Sequence, residues 1–181
     1  MLSREFLLSV FFFTFIVLQN LIIFFFAMTT TDVPFAGLKG GVYIHSDSGV
    51  LYTFFEWLKR KDKLTASSVV LITDSGMLEI AKEDLSGVFS FEDAQKAAAD
   101  YGDGFRCATR HEAIEMYDAR LRGLNVALAA IGGKPALSVY WTCDVDPEYS
   151  SFRSFIYKGV SGDILGFYRD MSFAVRPGRS F

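Results

Sequence analysis

The chain carries few side chains able to do chemistry, and their spacing limits which chemistry that is. His45 and His111 are its two histidines, each without a nearby Cys or second His. His111 falls at the start of an expected helix, where the dipole disfavours a cation. A surface or capping role therefore suits it better than general acid–base catalysis. Cys107 and Cys143 lie 36 positions apart with no CxxC spacing, so they do not read as a thiolate metal clip. They pair as a disulfide if the domain is exported, and otherwise stand as two half-buried thiols. Asp144, Asp146 and Glu148 alternate, with Asp163 and Asp170 further on. Hard oxygen ligands suit calcium, but the helix-flanked loop with a closing Glu is missing, and solvated carboxylates are the commoner use. No GxSxG, HExxH or phosphate-cradling glycine loop occurs. The expectation is no catalytic residue, no metal ligand and no cofactor.

The C-terminal quarter offers binding chemistry instead. Tyr140, Trp141, Tyr149, Phe152, Phe155, Tyr157, Phe167, Tyr168 and Phe173 are interleaved there with Ser, Arg and Asp. In a strand, alternate residues face opposite ways, so one face packs a core while the other presents side chains to solvent. Tyr and Arg are enriched where binding energy concentrates. Tyr149, Arg153, Tyr157, Tyr168 and Arg169 are the expected ligand-binding set.

Positioning these residues requires a particular order of elements. Gly41 to His45 and Val50 to Tyr52 read as strands around the turn Ser46-Asp47-Ser48-Gly49. Thr53 to Lys63 fits a short helix. Ser68 to Thr73 is apolar and β-branched, and Met77 to Ala81 returns beside it after Asp74-Ser75-Gly76. Two capping-box patterns follow, Ser90 to Asp93 and Thr109 to Glu112. The second leads into Ile114, Met116, Tyr117 and Leu121. A third helix from about Leu124 to Ile131 stops at Gly132-Gly133. Strands are expected over Leu137 to Thr142, Ser151 to Tyr157, Asp163 to Tyr168 and Ser172 to Arg176. Strands, then helices, then strands make an α+β fold with antiparallel sheets.

The chain has 181 residues, 51% hydrophobic, with a net charge of -3. No basic excess exists to neutralise phosphates, which argues against a nucleic-acid partner. The mean hydropathy of +0.26 is concentrated at the N-terminus. Between Phe6 and Met28 only Ser9, Thr14, Gln19 and Asn20 are not hydrophobic, and no charge occurs between Glu5 and Asp32. Such a run is long enough to cross a bilayer. Three readings are open: a membrane anchor or uncleaved signal, a cleaved signal peptide, or a chain that truly starts at Met28. Residues 1–28 are thus set apart from a single domain over 29–181. Localisation follows the same fork: cell envelope or exported if that segment is genuine, otherwise cytoplasmic or in a phage particle. Membrane contact is expected only through residues 6–28.

Three motifs carry a family resemblance. Gly104-Phe105-Arg106-Cys107-Ala108-Thr109-Arg110-His111-Glu112 resembles the G-[FW]-R-L-P-T-x-x-E start of the second helix in the formylglycine-generating-enzyme-like branch of the C-type lectin fold. Tyr140-Trp141-Thr142-Cys143-Asp144 is similar to that branch's Y-W-[ST]-S-[ST]-E strand. Ala174-Val175-Arg176-Pro177-Gly178-Arg179 is similar to its terminal x-V-R-P-V-R. The branch includes ligand-binding domains of bacterial surface and phage proteins and variable proteins of diversity-generating retroelements.

The resemblance implies a C-type lectin-like fold with two to three helices, adjacent N- and C-terminal strands, and a binding face on the C-terminal strands and loops. It implies that Thr109 and Glu112 cap the helix and that Trp141 anchors the core. Arg176 would fix the last strand by hydrogen bonds, and Pro177 would end its ladder. Cys107-Ala108 stands where the branch has Leu-Pro, and Gly178 where it has an apolar residue. The chain has only Asn20 and Asn125, against the Asn-rich C-terminal regions of variable proteins. Neither cysteine lies in a motif of the copper-dependent oxidase members, so that activity is not carried over.

The expected function is a non-catalytic module presenting an aromatic and arginine-rich face to a surface protein or glycan, with homo-oligomers allowed. The alternatives are a structural subunit of a surface or phage-fibre assembly and a degenerate formylglycine-generating-type oxidase.

Overall fold

Ala66 to Thr73, with Val69, Val70 and Leu71 almost fully buried, forms the centre of the larger sheet. A computed structural model describes residues 38–181. The hydrophobic segment 1–28 lies outside the described residues, as does the choice among anchor, signal and start at Met28. No helix among the described residues is long and apolar enough to cross a membrane.

The strands are β1 (Gly41–Ser46), β2 (Leu51–Tyr52), β3 (Ala66–Thr73), β4 (Gly76–Ala81), β5 (Val139–Val145), β6 (Arg153–Lys158), β7 (Ile164–Tyr168) and β8 (Gly178–Ser180). The helices are α1 (Phe54–Leu58), α2 (Phe91–Asp100), α3 (Arg110–Leu121) and α4 (Leu124–Ala130). One sheet has the order β2-β1-β3-β4-β8 and the other β5-β6-β7. Every strand pairing is antiparallel. The molecule is therefore α+β with antiparallel sheets.

The β3–β4 hairpin closes with Thr73 opposite Gly76, and Gly76 adopts φ 140°, a backbone open to glycine. Ile44, Val69, Leu71, Leu78 and Ile80 of this sheet meet Met116 of α3 and Leu124 and Leu128 of α4 in one core. A second core joins Phe91, Ala94 and Ala98 of α2 to Trp141, Ile156 and Val175. A third, smaller one holds Tyr140, Tyr157 and Ala113 together.

Several expectations are corrected. The first and last described strands share a sheet but are not adjacent, because the tight β3–β4 hairpin inserts between them and β8 takes the free edge of β4. Ser172 to Arg176 is not a strand. It makes single bridges, Phe89 to Phe173 and Tyr140 to Ala174, and the last strand is Gly178–Ser180. Pro177 therefore precedes the final ladder, where its missing N–H costs nothing, and its carbonyl accepts from Ala81 N–H at 3.0 Å. Among the described residues four α-helices are present where the resemblance implies two to three, the additional one being α1. The expected Thr53 to Lys63 helix stops at Leu58, and a single 3-10 turn covers Lys61–Lys63. On α3 the buried side is Glu112, Ala113, Met116 and Ala119, while Ile114 and Leu121 face solvent.

Candidate functional site

The three family-like motifs, far apart in sequence, converge at one junction. Arg106 and Gly178 exchange backbone hydrogen bonds, both at 2.9 Å. Cys143 N–H donates to Ala108 O at 2.9 Å, and Arg110 N–H donates to Asp144 Oδ2 at 2.5 Å. Trp141 N–H donates to Ala174 O at 3.1 Å.

Side chains lock the junction. Thr109 and Glu112 form a full capping box at the start of α3. Glu112 is also held by both terminal nitrogens of Arg106, at 2.7 Å each, and accepts from the Ser180 hydroxyl. Burial works against its charge, but Arg106, Ser180 and the Thr109 N–H outweigh it and lower the Glu112 carboxyl to about 2. Trp141 is buried, donates from Nε1 to Phe89 O at 2.8 Å, and meets Phe91 and Phe173 edge-on. Arg176, 4% exposed, donates to Asp84 Oδ1 at 2.5 Å and to the carbonyls of Ala81, Lys82, Lys134 and Pro135. It ties the last segment to the end of β4 and to the loop after α4.

Beyond the junction, β6 and β7 carry the expected ligand residues. Their register puts Arg153 opposite Tyr168 and Phe155 opposite Gly166, so these four share a face. Tyr168 is 59% exposed and stacks on Phe152, 45% exposed, with ring centres 5.9 Å apart and planes at 23°. Phe152 in turn touches Tyr149, 42% exposed, at 5.6 Å. The three rings form a continuous exposed platform. Rings left in water in this number are costly unless a partner covers them.

Arginines border the platform. Arg153 lies 4.8 Å over the Tyr149 ring, pairs with Asp146 at 3.5 Å and donates to Gly166 O at 3.1 Å. Gly166 makes room for this: a Cβ there would run into Arg153 Nη2 and sit 2.9 Å from Asp146 Oδ2. Arg110 lies 4.3 Å over Phe155 on the same face. Arg169 points to the other side, donating to Ser154 Oγ at 3.0 Å and covering Phe91 at 4.8 Å.

The structure thus brings together Tyr149, Arg153 and Tyr168, while Arg169 lies on the opposite side of the sheet against Ser154 and Phe91. Tyr157 does not join them. It is 2% exposed and stacked on Tyr140, and burial raises its phenol well above the ordinary range. The cause is α3, which closes over that end of the sheet. Two members escaped sequence reasoning. Alternation along a strand from Ser151 would set Phe152 on the side opposite Arg153, but it lies in the turn before β6, where alternation does not apply. Arg110 belonged to a helix start rather than to a strand.

The other chemically capable groups have structural partners. Asp144 caps Arg110, and Asp146 pairs with Arg153 and accepts from Glu148 N–H at 3.1 Å. No group of three or more His, Cys, Asp or Glu able to hold a metal ion occurs among the described residues. Both cysteines are free thiols, and burial pushes Cys107 up to about 12, far from a reactive thiolate. His45 Nδ1 donates to Glu79 Oε1 at 2.7 Å, and Ser68 approaches the same nitrogen at 3.4 Å. A serine relay needs Ser and acid on opposite ring nitrogens, so this trio is not one.

The chain matches no family model, and no curated protein matches it significantly.

Proposed function

We propose that this chain is a C-type-lectin-like binding module of the formylglycine-generating-enzyme-like branch, without catalysis of its own, that docks a protein partner on the Tyr149–Phe152–Tyr168 platform. The observation that carries this reading is the cluster of three exposed rings, Tyr168 stacked on Phe152 and Tyr149 tilted against it, bordered by Arg153 and Arg110. Convergence of the three family-like motifs on one hydrogen-bonded junction supports the branch.

A protein partner is favoured by the composition of the platform. An open platform of Tyr, Phe and Arg is the composition of a protein-binding hot spot. Full-length protein should be screened against arrayed extracellular proteins and, in parallel, arrayed glycans. The expected result is a protein hit that Phe152→Ala and Tyr168→Ala each weaken by ten-fold or more. Hits confined to glycans, or a protein hit indifferent to both variants, would refute it.

A further inference from the structure

We infer that the open edge of β7 pairs with β7 of a second copy of this chain, joining two three-stranded sheets into one of six strands.

The hydrogen-bond phase of the edge comes first. Arg169 N–H donates to Phe152 O at 3.0 Å and Lys158 N–H to Asp163 O at 2.9 Å, marking both as hydrogen-bonded pairs of the β6–β7 ladder. Such pairs alternate, so the N–H and C=O of Ile164, Gly166 and Tyr168 point away from β6. Among the described strands β7 pairs with β6 alone. No backbone or side-chain acceptor among the described residues takes the N–H of Ile164, Gly166 or Tyr168. The carbonyls of Gly166 and Tyr168 accept from Arg153 Nη2 and Met171 N–H, each leaving one lone pair.

The sequence of the edge then selects its partner. Natural open edges are blunted by charge, proline or a bulge. Ile164-Leu165-Gly166-Phe167-Tyr168 carries no charge or proline of its own, Arg153 on the Gly166 carbonyl being the charge that reaches it, and its register on β6 is unbroken. It is complementary to itself when antiparallel and centred on Gly166. On one face Ile164 then meets Tyr168 of the second copy. On the other, Leu165, 39% exposed, meets Phe167, and Asp163 meets Arg169, opposite charges at both ends. Sliding the register by two residues either way sets Leu165 against Arg169, or Asp163 against Phe167, and loses the charge match. Glycine opposite glycine lets the two backbones close at the centre. The contact is small, so association depends on concentration.

The test uses the full-length chain in mild detergent, with light scattering from micromolar to millimolar concentration. A monomer–dimer equilibrium is expected, and Leu165→Lys should weaken it by about ten-fold, since both copies lose an apolar pair. Circular dichroism of that variant checks that it folds. A second variant, Ile164→Cys with Tyr168→Cys, forms a covalent dimer under air oxidation. The Cα atoms of a hydrogen-bonded pair lie ~5.5 Å apart, within disulfide reach. The same positions within one strand are ~13 Å apart, so a 164–168 disulfide found by mass spectrometry joins two chains. A monomer at every concentration, or a dimer indifferent to Leu165→Lys that yields no 164–168 linkage, would overturn the inference.

Discussion

A single arginine, Arg176, donates to four backbone carbonyls and one carboxylate at the seam of the two sheets. Arg176→Ala should cost about 3–5 kcal/mol in urea denaturation, because Asp84 loses its cation and the carbonyls lose theirs together. Arg176→Lys should recover only a minor part, since an ammonium lacks the fork. At Gly166 the expected effect is on both binding and folding. Gly166→Ala drives Arg153 off its seat beside the buried Asp146, so partner affinity and melting temperature both fall. Trp141 and Arg176 stand in motifs quoted for the resemblance, and both are buried and hydrogen-bonded. The exposure of Tyr157 was misjudged because strand alternation reports a side, and the covering of that side by α3 is a tertiary fact.

Local chemistry placed most elements well. Thr109 and Glu112 define the start of α3 by two reciprocal hydrogen bonds, and Thr109→Ala should cost about 1 kcal/mol by chemical denaturation. Ser90 makes only half of the expected box: its hydroxyl accepts from Asp93 N–H at 3.3 Å, and the Asp93 carboxylate accepts from that hydroxyl at 2.7 Å in place of the Ser90 N–H. The β3–β4 hairpin was legible because apolar runs flank a turn cluster. The last strand was not. Gly178–Ser180 has no hydrophobic pattern, and what makes it a strand is the free edge of β4, a non-local partner. Likewise, the apolar residues of Ser172 to Arg176 suggest a strand, but the segment crosses between the sheets and can pair only at single residues.

Across the whole molecule, two buried carboxylates link the C-terminus to both the larger sheet and α3. Burial opposes the charge of Glu79, but hydrogen bonds from His45, Ser68 and Arg179 outweigh it and lower its carboxyl to about 2. Glu112 is lowered to about 2 in the same way. Carboxyls depressed from an ordinary 4.5 bind protons more readily when unfolded. The stability they contribute is complete above pH ~4.5 and is lost as pH falls toward ~2. Thermal denaturation across that window should show a steep fall, flatter in Glu79→Gln. The overall class was readable from element order, while the pairing of β8 and the open edge of β7 required the assembled sheets. The central claim, that the aromatic platform binds a partner protein, is tested most directly by titrating the arrayed-protein hit against wild type, Phe152→Ala and Tyr168→Ala while recording melting temperatures. The predicted result is a ten-fold or greater loss of affinity in both variants with melting temperatures within a few degrees of wild type. Unchanged affinity in both, or a collapse of stability in place of a loss of binding, would contradict it.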